Sequence, residues 1–210
     1  RWAPWRTFDG TPVLVPGGFQ PQQEPDGSQV IVRDGIKIAR MPKGGFYFDR
    51  LEKYPGAGHI DLEGYQPPRL STEQFAHYRA QSQVLYDNTE FAIVAPMGPP
   101  YELFYGLGTG DFVSWMITLA CEPDYVHRLY ELLVDTWLEN LRQFADAVED
   151  RVQILQICDD FGTQQSLFLS VDMFRQLVMP HYQRGLEWIH DHTDMKVLLH
   201  SDGAIFPLLP

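Results

Sequence analysis

The sequence predicts an α/β fold, a parallel sheet with helices outside it, preceded by a β-rich segment. Three observations carry that expectation. The runs Phe91–Ala95, Val152–Ile157 and Lys196–Leu199 are short, largely apolar and non-alternating, and each ends in a turn signal, as parallel strands covered on both faces do. Segments with apolar residues every three or four positions lie between them. Residues 1–66 read differently, as brief β-type runs broken by Gly and Pro. The chain therefore divides into a β-rich part (1–66) and a strand-helix part (67–210).

In the first part, the runs 12–18, 26–32 and 34–39 read as a β-meander, and Asp34-Gly35 between the last two is a hairpin signal. The aromatic run Phe46-Tyr47-Phe48 has two readings. It closes a small β-layer, since large rings are mostly contact area, or Phe46 and Tyr47 line a pocket. In the second part, Ser71 with Gln74 three residues later forms a capping box that opens a helix to about Asn88. Residues 98–110 read as a Gly-punctuated loop with short helical pieces. Glu122-Pro123-Asp124 opens a long helix, Pro being tolerated in a first turn. Its apolar face is Val126, Leu129, Leu133, Trp137, Leu141, Phe144 and Val148. Asp172 starts the next helix, with Phe174, Leu177, Val178, Tyr182, Leu186 and Ile189 on one face. Pro180 predicts a kink or restart within it.

Composition bounds the function. A chain of 210 residues with 44% hydrophobic content can bury one sizeable core. No run approaches the ~18–20 apolar residues of a membrane span, and Arg1–Arg6 carries no apolar signal core. Two cysteines, Cys121 and Cys158, make no disulfide framework, so a cytoplasmic location is the default. A net charge of -12 repels phosphate backbones and argues against a nucleic-acid partner.

The chemistry lies at the strand ends, where α/β proteins place it. Asp159 and Asp160 follow the second strand, and His200 and Asp202 the third. These four have three readings. His and carboxylates at short spacing suit a divalent metal. Clustered carboxylates also serve as general acid and base, because each perturbs the other's ionisation. The structural alternative is that an Asp after a strand caps a helix or binds loop amides. Cys158 reads as a small packing residue. His77, His127, His181, His190 and His192, on helices or their ends, and His59 in the Gly-rich lead-in, read as surface or satisfied residues.

The order of these motifs resembles a known family. Asp159-Asp160-Phe161-Gly162-Thr163-Gln164, then Met173-Phe174-Arg175 and Met179-Pro180, then Lys196-Val197-Leu198-Leu199-His200-Ser201-Asp202-Gly203, look like the uroporphyrinogen decarboxylase superfamily. Met97-Gly98-Pro99-Pro100-Tyr101 and Cys121-Glu122-Pro123 are similar to its Gly-Pro loop and the start of its long helix. The resemblance implies a (β/α)8 TIM barrel. Such a barrel takes roughly 250 residues, and three strands are visible, so the expectation is a partial barrel with pieces missing at both ends.

The superfamily also holds cobalamin-dependent methyltransferases, and the branch matters. Decarboxylases hold their substrate carboxylates with an Arg-rich N-terminal motif, and no such cluster stands here: Arg33, Arg40 and Arg50 are scattered. His200 resembles the first zinc ligand of the methyltransferase branch, whose pattern is His-x-Cys, but Asp202 stands where the Cys would be. The leading expectation is a methyltransferase acting on a small methylated substrate, with a corrinoid carried by a partner protein. His200 and Asp202 are then zinc ligands, Asp159 and Asp160 the catalytic carboxylates that orient substrate or move protons, and Tyr101, Gln164, Phe46 and Tyr47 the substrate-binding residues. A metal-free decarboxylase of porphyrinogens is the second reading, and a degenerate barrel kept for binding is the third.

Overall fold

The computed structural model describes residues 2–33, 35–51, 55–56 and 60–209. Asp34 of the expected hairpin turn and His59 lie outside the described residues. The chain forms two compact units, Arg1–Tyr54 and Pro55–Pro210, so the division falls ahead of the expected position near 66.

The first unit is antiparallel throughout. Strands β1 (Trp2–Arg6) and β2 (Pro12–Pro16) form a hairpin, and Gly10 in its turn takes φ +85°. The strand at Trp2–Arg6 had no signal beyond its aromatic residues. A four-stranded sheet follows in chain order: β3 (Gln22–Gln23), β4 (Gln29–Arg33), β5 (Ile36–Met41) and β6 (Asp49–Arg50). Of the expected meander, the runs 26–32 and 34–39 supply the β4–β5 hairpin, whereas the run 12–18 is β2 and pairs with β1 in the separate two-stranded sheet. Edge-on ring contacts tie the unit together, Trp5 on Phe19 at 5.2 Å and Phe19 on Phe48 at 5.6 Å.

The second unit alternates strand and helix. The capping box forms as expected: Ser71 Oγ accepts from Gln74 N, Gln74 Oε1 accepts from Ser71 N, and α1 runs Thr72–Asn88. Strand β7 is Val94–Pro96, shorter and later than the expected run from Phe91. Its start is displaced because Gln153 Oε1 takes the Ile93 N–H at 2.9 Å, where a ladder partner would otherwise be needed. A short helix α2 (Tyr105–Gly108) precedes α3 (Phe112–Cys121), which the sequence did not announce. Helix α4 (Pro123–Val148) then buries every residue of the predicted face.

Strand β8 (Ile154–Cys158) leads into α5 (Val171–Met173), a π-helical turn at Phe174–Val178, and α6 (Met179–His192). The wide turn sits just ahead of Pro180, which has no N–H to donate into a regular turn. Strand β9 (Lys196–His200) follows. The sheet order is β7-β8-β9, all parallel, so Pro96, Cys158 and His200 open on one rim.

The core lies between this sheet and the helices. Leu155 and Ile157 of β8 are buried with Trp137, Leu141 and Phe144 of α4 and Val178 and Ile189 from the π turn and α6. Gly185 of α6 lies where a Cβ would meet the Trp137 ring at 1.9 Å, so this helix contact needs Gly. Trp137 Nε1 donates to Met97 O at 3.0 Å and seats α4 on the loop after β7. The expectation of fully buried strands is met only in part: Leu155 and Ile157 of β8 are buried with its other residues half-buried, Ala95 is the one buried residue of β7, and β9 is more exposed still. Leu198 and Leu199 are 50% and 43% exposed, because β9 is paired on one side only among the described residues. No helix of the described residues is long and apolar enough to cross a membrane.

Candidate active site at the strand C-termini

Strand register builds the site. Cys158 pairs with His200 in the parallel ladder, and Asp159 N donates to His200 O at 3.0 Å, the last bond before the strands part. Beyond it, Asp202 N donates to Asp160 Oδ1 at 2.7 Å, and Phe161 N donates to Ser201 Oγ at 3.0 Å. The two loops then touch backbone to backbone. Ala204 N donates to Thr163 O at 2.7 Å, and a Cβ on Gly203, at φ +89°, would sit 2.2 Å from Gly162 O. Glycine at 203 is thus required twice, by the left-handed backbone and by the close approach.

This frame brings Asp160, His200 and Asp202 together. One ligand atom from each lies within 4.8 Å of the others. His200 Nε2 and Asp202 Oδ1 are 3.5 Å apart, both on exposed side chains, while Asp160 is half-buried. One imidazole and two carboxylates on a solvent-facing rim are a donor set for a divalent cation. The fit rests on that convergence. Asp202 caps no helix, its N–H is used on Asp160, and the 3-10 turn at Phe206–Leu208 has no side-chain cap.

Asp159 takes a different position. Neighbouring strand-end residues point to opposite sides, and Asp159 faces inward at 0% exposure. Its carboxylate accepts from Phe104 N and Tyr105 N, each at 2.8 Å, and from the Tyr182 hydroxyl at 2.7 Å. These three donors favour the anion. Burial outweighs them and pushes the carboxyl up to about 7. Tyr182 also accepts from Leu103 N at 3.4 Å, so Asp159 and Tyr182 together hold residues 103–105. That segment presents Glu102 to the rim. Burial raises the Glu102 carboxyl, the Asp160 charge raises it further, and His200 opposes both.

Glu102 went unnoticed in the sequence. Its signal was its place directly after Tyr101, in the loop that ends β7. Tyr101 is half-buried near Tyr65, whose hydroxyl is raised above its usual range mainly by burial. Gln164 is exposed on the loop after β8. Phe46 and Tyr47 belong to the first unit, where Phe46 packs on Phe8 at 4.7 Å and Tyr47 is exposed. Cys158 is half-buried and accepts from Gln156 Nε2 at 3.5 Å. One histidine departs from expectation: His181 is only 5% exposed, and its Nδ1 has no partner.

A parallel sheet with His and carboxylates on one rim is the arrangement that the sequence motifs resembled. No curated protein matches the chain. A family model described as uroporphyrinogen decarboxylase (URO-D) matches residues 51–210, a span that contains all three parallel strands, the clamp on Asp159 and the Asp160/His200/Asp202 rim. The chain belongs to the uroporphyrinogen decarboxylase family.

Proposed function

We propose that this chain is a methyltransferase of the family, moving a methyl group from a small methylated substrate to a corrinoid carried by a partner protein. The sheet β7-β8-β9 is then an arc of a (β/α)8 barrel. The observation that carries the reading is the convergence of Asp160, His200 and Asp202 within 4.8 Å on one rim. These three would hold zinc, which when bound supplies a Lewis acid that polarises the oxygen or nitrogen bearing the methyl group.

The remaining chemistry belongs to the chain. The Asp202 N–H fixes the Asp160 carboxylate, so its orientation is set before substrate arrives. Glu102, facing Asp160 and His200, stands where it can hand a proton to the demethylated leaving group. Tyr101 and Gln164 line the substrate side. Asp159 acts through Tyr182 and the backbone of residues 103–105, holding Glu102 in place.

The matched family description favours a second reading, decarboxylation of a porphyrinogen, with Asp160 stabilising a pyrrole cation. Against it, the charges that act on Glu102 among the described residues are Asp160 and His200, neither an arginine nor a lysine that would receive substrate carboxylates. Zinc-loaded protein, a panel of methyl ethers and methylamines, and cob(I)alamin separate the two. Appearance of the methylcobalamin spectrum supports methyl transfer. Turnover of uroporphyrinogen by metal-free protein overturns it.

A further inference from the structure

We infer that Gln156 of β8 selects the substrate, by accepting a hydrogen bond from a hydroxyl or N–H on the molecule that carries the methyl group. This selection rests on the methyl-transfer reading of the rim and adds what that site takes. Strand alternation gives β8 two faces. Leu155 and Ile157 are buried with the helices, whereas Ile154, Gln156 and Cys158 are half-buried on the other face. Cys158 pairs with His200, and Asp160 lies two residues beyond Cys158, so the face that carries Gln156 leads to the rim triad.

Register fixes what surrounds Gln156. Its ladder partners are Pro96 of β7 and Leu198 of β9, and both are exposed. The row of Cys158 and His200 lies two residues, ~6.6 Å, further along the strands. Gln156 is therefore the one hydrogen-bonding side chain of an otherwise apolar row, next to the row that holds a proposed zinc ligand. Half of its amide is already used, because Nε2 donates to Cys158 Sγ at 3.5 Å. Oε1 accepts no hydrogen bond among the described residues. An amide with its NH2 engaged in this way offers a ligand an acceptor. A substrate on this face meets apolar contact from Pro96 and Leu198 and one oxygen that needs a donor. The molecule that fits has an apolar body with a hydroxyl or N–H beside the methylated atom. An analogue methylated at that position too leaves the Gln156 oxygen unpaired and binds less well.

Calorimetric titration of the whole chain in zinc-containing buffer tests this with two pairs of compounds, each pair differing by one donor. The pairs are 2-methoxyphenol against 1,2-dimethoxybenzene, and N-methylaniline against N,N-dimethylaniline. The donor-bearing compound should bind about fivefold more tightly, the worth of one neutral hydrogen bond. Gln156→Met keeps the length of the side chain without the amide, and a half-buried position on an open face should tolerate it, which circular dichroism checks. The preference should vanish in that variant, with zinc stoichiometry equal to the parent's because Gln156 is outside the triad. Gln156→Glu keeps an acceptor and should retain the preference. Equal affinities within both pairs in the parent overturn this role, as does failure of all four compounds to bind or a preference that survives in Gln156→Met. A preference in either pair that is lost in Gln156→Met upholds it. If that result comes with no methyl transferred to cob(I)alamin, Gln156 keeps its role and the methyl-transfer reading is what fails.

Discussion

The Asp202 backbone N–H donates to the Asp160 carboxylate across 2.7 Å, so the loops after two adjacent strands are tied where their side chains converge. The rim geometry depends on this tie and on the glycine contact beside it. Each can be broken separately.

Gly203→Ala places a methyl group 2.2 Å from Gly162 O at a backbone angle that alanine resists. The loops must separate, and the expected loss is ~2–4 kcal/mol of stability, read by denaturant titration. Zinc affinity should fall in the same variant, because Asp160 and Asp202 are then no longer held together. An alanine variant as stable as the parent would show that the loops do not meet.

Tyr182→Phe removes the hydroxyl that donates to Asp159 and accepts from Leu103 N. One buried carboxylate loses a donor and one amide loses its acceptor, so ~1–3 kcal/mol of stability should go. Zinc stoichiometry should be unchanged, since neither residue belongs to the rim triad. Loss of metal in a folded Tyr182→Phe protein would place Asp159 among the ligands.

Asp159 and His181 make opposite contributions to the pH dependence of stability. Asp159 is raised by burial to about 7, so the folded chain holds its proton through a range where the unfolded chain has released it. Its contribution is present below the ordinary carboxylate range and is lost as pH rises from about 4 to about 7. His181 is lowered to about 4, so its contribution is present above about 6.5 and is lost as pH falls toward 4. The two slopes offset one another in the parent. Asp159→Asn removes one of them, and its thermal midpoint should rise more steeply than the parent's between pH 4 and 6.5. Identical slopes in the two proteins would contradict the assignment.

Asp202→Cys should keep rim zinc and tighten it, because thiolate is the softer donor and zinc accepts either ligand. A competition titration against a chelator reads the change. Weaker binding than the parent would mean that the carboxylate at 202 does not face the metal.

Much of the second unit was legible in the sequence. The face of α4 and the capping box at Ser71 are local patterns, and they form as read. His200 and Asp160 reach one rim because parallel pairing sends successive strand ends the same way. What the sequence did not carry was tertiary. Asp159 and Asp160 are chemically identical neighbours, and only strand orientation decides which faces the core. Glu102 reaches the rim through the clamp from Asp159 and Tyr182, residues far along the chain. His181 looked like an ordinary helix histidine because burial by a neighbouring helix leaves no local mark. The edge position of β9 likewise depends on how many partners it has, not on its own apolar residues.

Zinc stoichiometry decides whether Asp160, His200 and Asp202 hold a metal. Metal analysis of the parent and of its His200→Ala and Asp202→Ala variants reads that site alone. One equivalent should be present in the parent and absent from both variants, with folding retained because the rim residues add little to the core. An Asp202→Ala protein that still carries the same equivalent of zinc would contradict the metal-binding rim.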